Sequence, residues 1–170
     1  MINSISSQNY TVQQTRASTN KVANTGENLS QTSKNTNTID TRKNFTSFIE
    51  TATPEELTEK LSGIKRFGQP AAMVNIDFNA KNSVDLAARI SRTTQRFNHE
   101  AKVFHTMQLD IIKQGEIEGK TSKEILTSIM SLTDEQSELF KMSTSWGRKG
   151  LGAPENYEKL VELTPSYVNY

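Results

Sequence analysis

The chain has 170 residues, 34% of them hydrophobic, with no cysteine and 20 basic against 19 acidic side chains, a net charge of +1. Without Cys there can be no disulfide, no thiolate zinc site and no Cys nucleophile, and so even a charge balance gives no footprint for nucleic acid. No window approaches 18 consecutive apolar residues, so no membrane span is expected.

Residues 1–44 read as a different material from the rest. Ser, Thr, Asn and Gln make up 26 of these 44 positions, and the first acidic side chain is Glu27. A segment this polar cannot bury enough apolar surface to offset the entropy lost on ordering. The expectation is a disordered N-terminal arm over residues 1–44, carrying five basic and two acidic residues, ahead of a helical domain over 45–170 with fifteen and seventeen. Met1 to Tyr10 has neither the cationic start nor the apolar core of a secretory signal peptide. The protein is therefore expected to be cytoplasmic when synthesised.

Phe45, Phe48 and Ile49 form a short bridge that can dock on the domain. Thr53-Pro54-Glu55-Glu56 supplies an N-cap hydroxyl, Pro at the first helical position and a capping-box Glu. The helix it opens carries Leu57, Leu61 and Ile64, and Gly68 and Pro70 end it. Met73 to Phe78 alternates apolar and polar residues but has no partner strand, which predicts an irregular linker. Ser83 to Gln114 holds the longest pattern, with Ile90, Phe97, Phe104 and Ile111 at strict sevens. Thr94 and Gln108 stand where a coiled coil would want Leu, so this reads as a bundle helix and not a free zipper.

Gly115 and Gly119 are expected to bracket a turn. Thr121-Ser122-Lys123-Glu124 and Thr133-Asp134-Glu135-Gln136 read as two more capping boxes, opening helices with Ile125, Leu126 and Ile129, and with Leu139, Phe140 and Met142. Gly147 to Gly152 reads as a flexible basic loop, and Ala153-Pro154-Glu155 starts a last short helix through Tyr157 and Leu160. The fold class is mainly α: a small helical bundle with one long central helix.

Motifs that carry chemistry fail on spacing. Gly115 to Thr121 is one residue short of a phosphate cradle, follows a helix, and puts Glu116 and Glu118 where phosphate would sit. His99 and His105 are six apart, on different helix faces. Asn75, Asp77 and Asn79 imitate a calcium loop whose sixth and twelfth positions are Ala80 and Leu86. Asp134, Glu135 and Glu138 suit a first helical turn and have no nucleophile beside them. No catalytic, cofactor or metal residue is assigned, and no enzyme activity is expected. The residues assigned to partner binding are Phe97, Phe104 and Ile111 of the long-helix stripe, with Trp146, Arg148 and Lys149. Each has a plainer reading, as core for the apolar residues and as a solvated loop for the basic pair.

The arm resembles the export signals of substrates of type III secretion and flagellar export systems. Such signals are N-terminal, uncleaved, disordered, rich in Ser, Thr, Asn and Gln, and poor in acidic residues at the start. Met1 to Gly26 carries that composition, with Ile2, Ile5 and Val12 as scattered apolar points. The resemblance implies a bacterial protein secreted without a cleavable signal peptide, acting as an effector or an apparatus-associated factor. Its partners would be export machinery or a chaperone, and a host or apparatus protein. The alternative is an intracellular or structural helical adaptor that assembles through its long helix, with itself as a homo-oligomer or with a partner.

Overall fold

The structure, a computed structural model, describes residues 39–74, 76–79 and 81–164. The expectations for residues 1–38, and those that fall on Asn75 and Ala80, lie outside them. Among the described residues the protein is mainly α, a bundle of six α-helices without a strand. These are α1 (Thr41–Thr51), α2 (Pro54–Phe67), α3 (Ser83–Ile117), α4 (Ser122–Asp134), α5 (Glu138–Ser143) and α6 (Tyr157–Leu163), the last preceded by a 3-10 turn at Pro154–Asn156.

Helix α1 begins inside the segment assigned to the arm. Asp40 caps it, its carboxylate accepting from the Lys43 N–H at 3.1 Å. Arg42, Lys43 and Asn44 keep their polar side chains outward, while Phe45, Phe48 and Ile49 turn toward the bundle. Polar composition up to residue 44 marks the exposed face of this first turn, so the domain starts at about residue 40.

Helices α2 and α4 start as the sequence predicts. Thr53 and Glu56 exchange both capping-box bonds, as do Thr121 and Glu124. The third box does not form. Thr133 is buried within α4 and spends its hydroxyl on the Ile129 carbonyl at 2.7 Å. Ser137 instead caps α5, accepting from the Phe140 N–H at 3.1 Å.

Helix α3 is the spine, about 52 Å long at 1.5 Å per residue over its 35 residues. It runs past Gln114 to Ile117, so Gly115 lies inside the helix and does not bracket the turn. The turn uses Gly119 alone, at φ +70°, with the Lys120 N–H donating to the Gly115 carbonyl at 2.9 Å. Two core clusters share this spine. Leu86, Ile90, Phe97, Ala101 and Phe104 pack with Leu139, Phe140, Met142, Leu151 and Leu160. Further along, Ile112 packs with Ile49, Leu57, Leu61, Ile125, Leu126 and Ile129.

Residues 68–74, 76–79, 81 and 82 lie in an irregular strap, tied to α5 where the Met73 N–H donates to the Ser143 carbonyl at 2.7 Å. Among the described residues no helix is long and apolar enough to cross a membrane.

Candidate functional site

The stripe of sevens is consumed inside the molecule. Phe97 is 0% and Phe104 3% exposed, and both rings lie against Phe140, at centroid separations of 5.7 and 4.7 Å. Ile111 is half-buried between the two clusters. Trp146 is buried beside Phe45, with ring centroids 5.7 Å apart, and its indole N–H donates to Asp134 at 2.7 Å. Arg148 pairs with Glu138 and Lys149 with Glu155. The Asn156 amide further donates to the Lys149 and Gly150 carbonyls at 2.6 and 2.8 Å, which holds the basic loop. The six residues do not converge on one surface, but Phe104 and Trp146 do meet in the wall of a groove.

That groove lies between α1, α2 and the strap, above the middle of α3. It consists of two hollows that share Lys60, Ile64, Pro70 and Gln108. The outer hollow, about 650 Å³, is lined by Phe48, Glu56, Glu59, Gly63, Phe67, Gly68 and Gln69. The inner hollow, about 260 Å³, is walled by Phe45, Met73, Phe104, Ile129, Phe140 and Trp146, with Thr41, Ala71, Thr133 and Thr144 between them. Phe67 is 78% exposed and Met73 42%, so apolar surface continues onto the rim at both ends.

The charges around it are unevenly committed. Glu56 is held by the Thr53 N–H, and Glu59 pairs with Arg66 at 2.8 Å. Lys60 lies 5.9 Å from the Phe45 ring centroid and has no carboxylate partner among the described residues. Gln108 is only 8% exposed, yet its carboxamide bonds no group among the described residues. A largely apolar trough with one ammonium unpaired by a carboxylate and one carboxamide without a hydrogen bond among the described residues can bind an amphipathic surface.

Two polar nodes brace the bundle, one beside this groove and one at the start of α3. Asp134 accepts from the Arg42 guanidinium at 2.7 and 2.9 Å and from Trp146, and these bonds hold its carboxyl below the usual aspartate range, Arg42 contributing most. Asp85 is likewise lowered, first by the Tyr157 hydroxyl at 2.6 Å and then by Arg89 at 2.6 Å. The partners of both carboxylates are structural, tying helices to one another. His99 is exposed, and the Nδ1 of His105 is buried without a hydrogen-bond partner among the described residues. No group of three His, Asp or Glu side chains among the described residues is placed to hold a metal ion.

Sequence reasoning did not find Lys60, Gly63 or Gln108 as a site. Only Gln108 left a signal there, as a polar residue interrupting an apolar face. The fold and the groove define an all-α bundle with an open, mainly apolar trough. No family model, curated protein or solved structure matches the chain.

Proposed function

We propose that this protein works by protein–protein contact, seating a partner in the groove between α2, the strap and α3. The observation that carries this reading is the trough itself, mainly apolar, with the Lys60 ammonium unpaired by a carboxylate and the Gln108 carboxamide without a hydrogen bond among the described residues. Burying such a surface against a partner is favourable in proportion to the apolar area covered. The reading assigns no catalytic step. It places the protein as a bacterial factor exported by a type III or flagellar-type machine, a secreted effector or apparatus-associated component. The support for export is the acid-poor, Ser/Thr/Asn/Gln-rich composition of residues 1–26.

The test of export is deletion of residues 2–26 followed by assay of culture supernatant from a bacterium carrying such a machine. Full-length protein should appear outside the cell and the deletion variant should stay within. Equal release of both, or retention of both, removes the export reading.

A second reading, an intracellular adaptor assembling through its long helix, draws on Val103 and Met107. They lie one turn apart on α3, 48% and 42% exposed. Light scattering separates the two. A dimer or higher oligomer that dissociates in Val103→Glu favours the adaptor, and a monomer counts against self-assembly.

A further inference from the structure

We propose that the occupant of the groove is an amphipathic helix of a partner protein, carrying a carboxylate beside its apolar stripe to meet Lys60 and a polar side chain to meet Gln108. This rests on the contact reading above and names the chemistry of the partner.

The shape argues for a helix. The face of α2 that borders the outer hollow carries Glu56, Lys60, Gly63 and Phe67, spaced three and four residues apart. From Glu56 to Phe67 this face is about 17 Å long, three turns of helix at 1.5 Å per residue. Gly63 is its low point. A side chain added there would meet only the Phe67 ring, at 3.8 Å, so a bulky anchor or a second helix can approach the α2 backbone closely. Apolar anchors at i, i+3 or i+4 and i+7 match a trough of this length.

The opposite wall argues against an added strand. Extending a sheet needs a row of free backbone N–H and C=O groups. Among the described residues there is no strand to extend, Pro70 in the strap has no N–H, and the Met73 N–H is already committed to Ser143. A single acyl chain in the inner hollow would fill about 260 Å³ but leave Phe67 and the outer hollow uncovered. A helix lying along both hollows covers the two exposed ends together.

Charge supplies the last element. Lys60 and Gln108 border both hollows, so both lie midway along the trough. Of the nearby carboxylates, Glu59 is paired with Arg66 and Glu56 is turned back to the Thr53 N–H at the start of α2. The Gln108 carboxamide, open to solvent through the trough, can exchange water for a polar group of an occupant, and an ammonium at the edge of an apolar trough selects an opposite charge. The partner helix therefore carries Asp or Glu on the flank that faces α2, and a hydroxyl, amide or carboxylate on the turn that enters the floor.

The experiment pans a displayed library of 16-residue helical peptides against the full-length protein. Leu, Ile, Phe and Met occupy the stripe positions of the library, and the other positions are randomised. The expected result is enrichment of peptides with an acidic residue at one fixed position. Their affinity should fall by about tenfold in Lys60→Glu, the loss typical of one charge-assisted bond. Panning against Lys60→Glu should then select Lys or Arg at that same position. Gly63→Leu, which adds bulk where the fold has room, should block the same peptides while circular dichroism shows the helices intact. Enriched helices that ignore both Lys60→Glu and Gly63→Leu overturn groove docking altogether. Helices blocked by Gly63→Leu but indifferent to Lys60→Glu leave the contact reading standing and overturn the acidic partner. Binding of dodecanoate with no peptide enriched overturns the helix in favour of a lipid.

Discussion

Gly115 and Gly63 sit in the interiors of two helices, and the same substitution should act on them in opposite directions. A methyl at Gly115 would lie 2.6 Å from Ile125 Cγ1 and 2.9 Å from its Cδ1, in the packed contact between α3 and α4. Helix propensity favours Ala over Gly by about 1 kcal/mol, but overpacking a closed core costs about 1–3 kcal/mol. Gly115→Ala should therefore lower stability in urea unfolding, and less so in an Ile125→Ala background, where the opposing methylene is gone. At Gly63 nothing but the Phe67 ring is near, so Gly63→Ala should raise stability by about 0.5–1 kcal/mol. Along the chain the two glycines look alike. Gly115 even resembles a turn residue because Gly119 follows four positions later. Only the neighbour across the helix interface distinguishes a packing glycine from a conformational one.

At the level of the element, the helix starts that can be read from the sequence are those whose bonds close locally. Thr53 with Glu56 and Thr121 with Glu124 span three residues, and no distant group competes for them. Thr133 offers the same pattern, but its side chain is buried and bonded one turn back, and α4 continues so that Asp134 reaches α1. The cap passes to Ser137, which also donates to Glu100 of α3 at 2.5 Å. Ser137→Ala should cost about 1 kcal/mol, within the range for lost N-caps, read as a lower denaturation midpoint with unchanged slope. Helix α3 shows the complementary case. Its apolar sevens identify a buried stripe whatever covers it, but Phe97 and Phe104 are covered by Phe140, which is supplied by a short helix some 40 residues away in sequence.

Across the whole molecule, α1 is fastened by groups far apart in the chain. Arg42 grips Asp134 through two bonds, Thr41 donates from its N–H to the Ser145 carbonyl at 3.1 Å and from its hydroxyl to the Thr144 carbonyl at 2.8 Å, and the Gly147 N–H donates to Asp40 at 3.1 Å. At the other end, Asp85 with Arg89 and Tyr157 fastens α6 to the start of α3. Both carboxyls titrate below their usual 3.8 in the folded protein. Below that value the unfolded chain therefore takes up more protons than the native state. Their contribution is complete above the unfolded value and is lost as pH falls through it toward the lowered folded values. Melting temperature should drop as pH is taken from about 5 to 3. Asp134→Asn, which keeps an acceptor for Trp146 but gives up the charge opposite Arg42, should flatten that dependence. Added salt should shrink the effect, because the Asp134 side chain is 36% and the Arg42 side chain 44% exposed.

Composition and periodicity alone were enough to establish an α-helical domain behind a polar segment, with a long central helix and two of its neighbours' starting points. These follow from bonds and faces that close within a few residues. Tertiary packing decided which end of the polar segment becomes the first turn of α1, which glycine is for packing and which for turning, and where α5 begins. It also created the groove, whose walls come from α1 to α5 and the strap and whose central polar residues, Lys60 and Gln108, are 48 residues apart in sequence. A trough between helices has no local signature, because it exists only once chain-distant faces have been brought together and some of their surface is left without a partner.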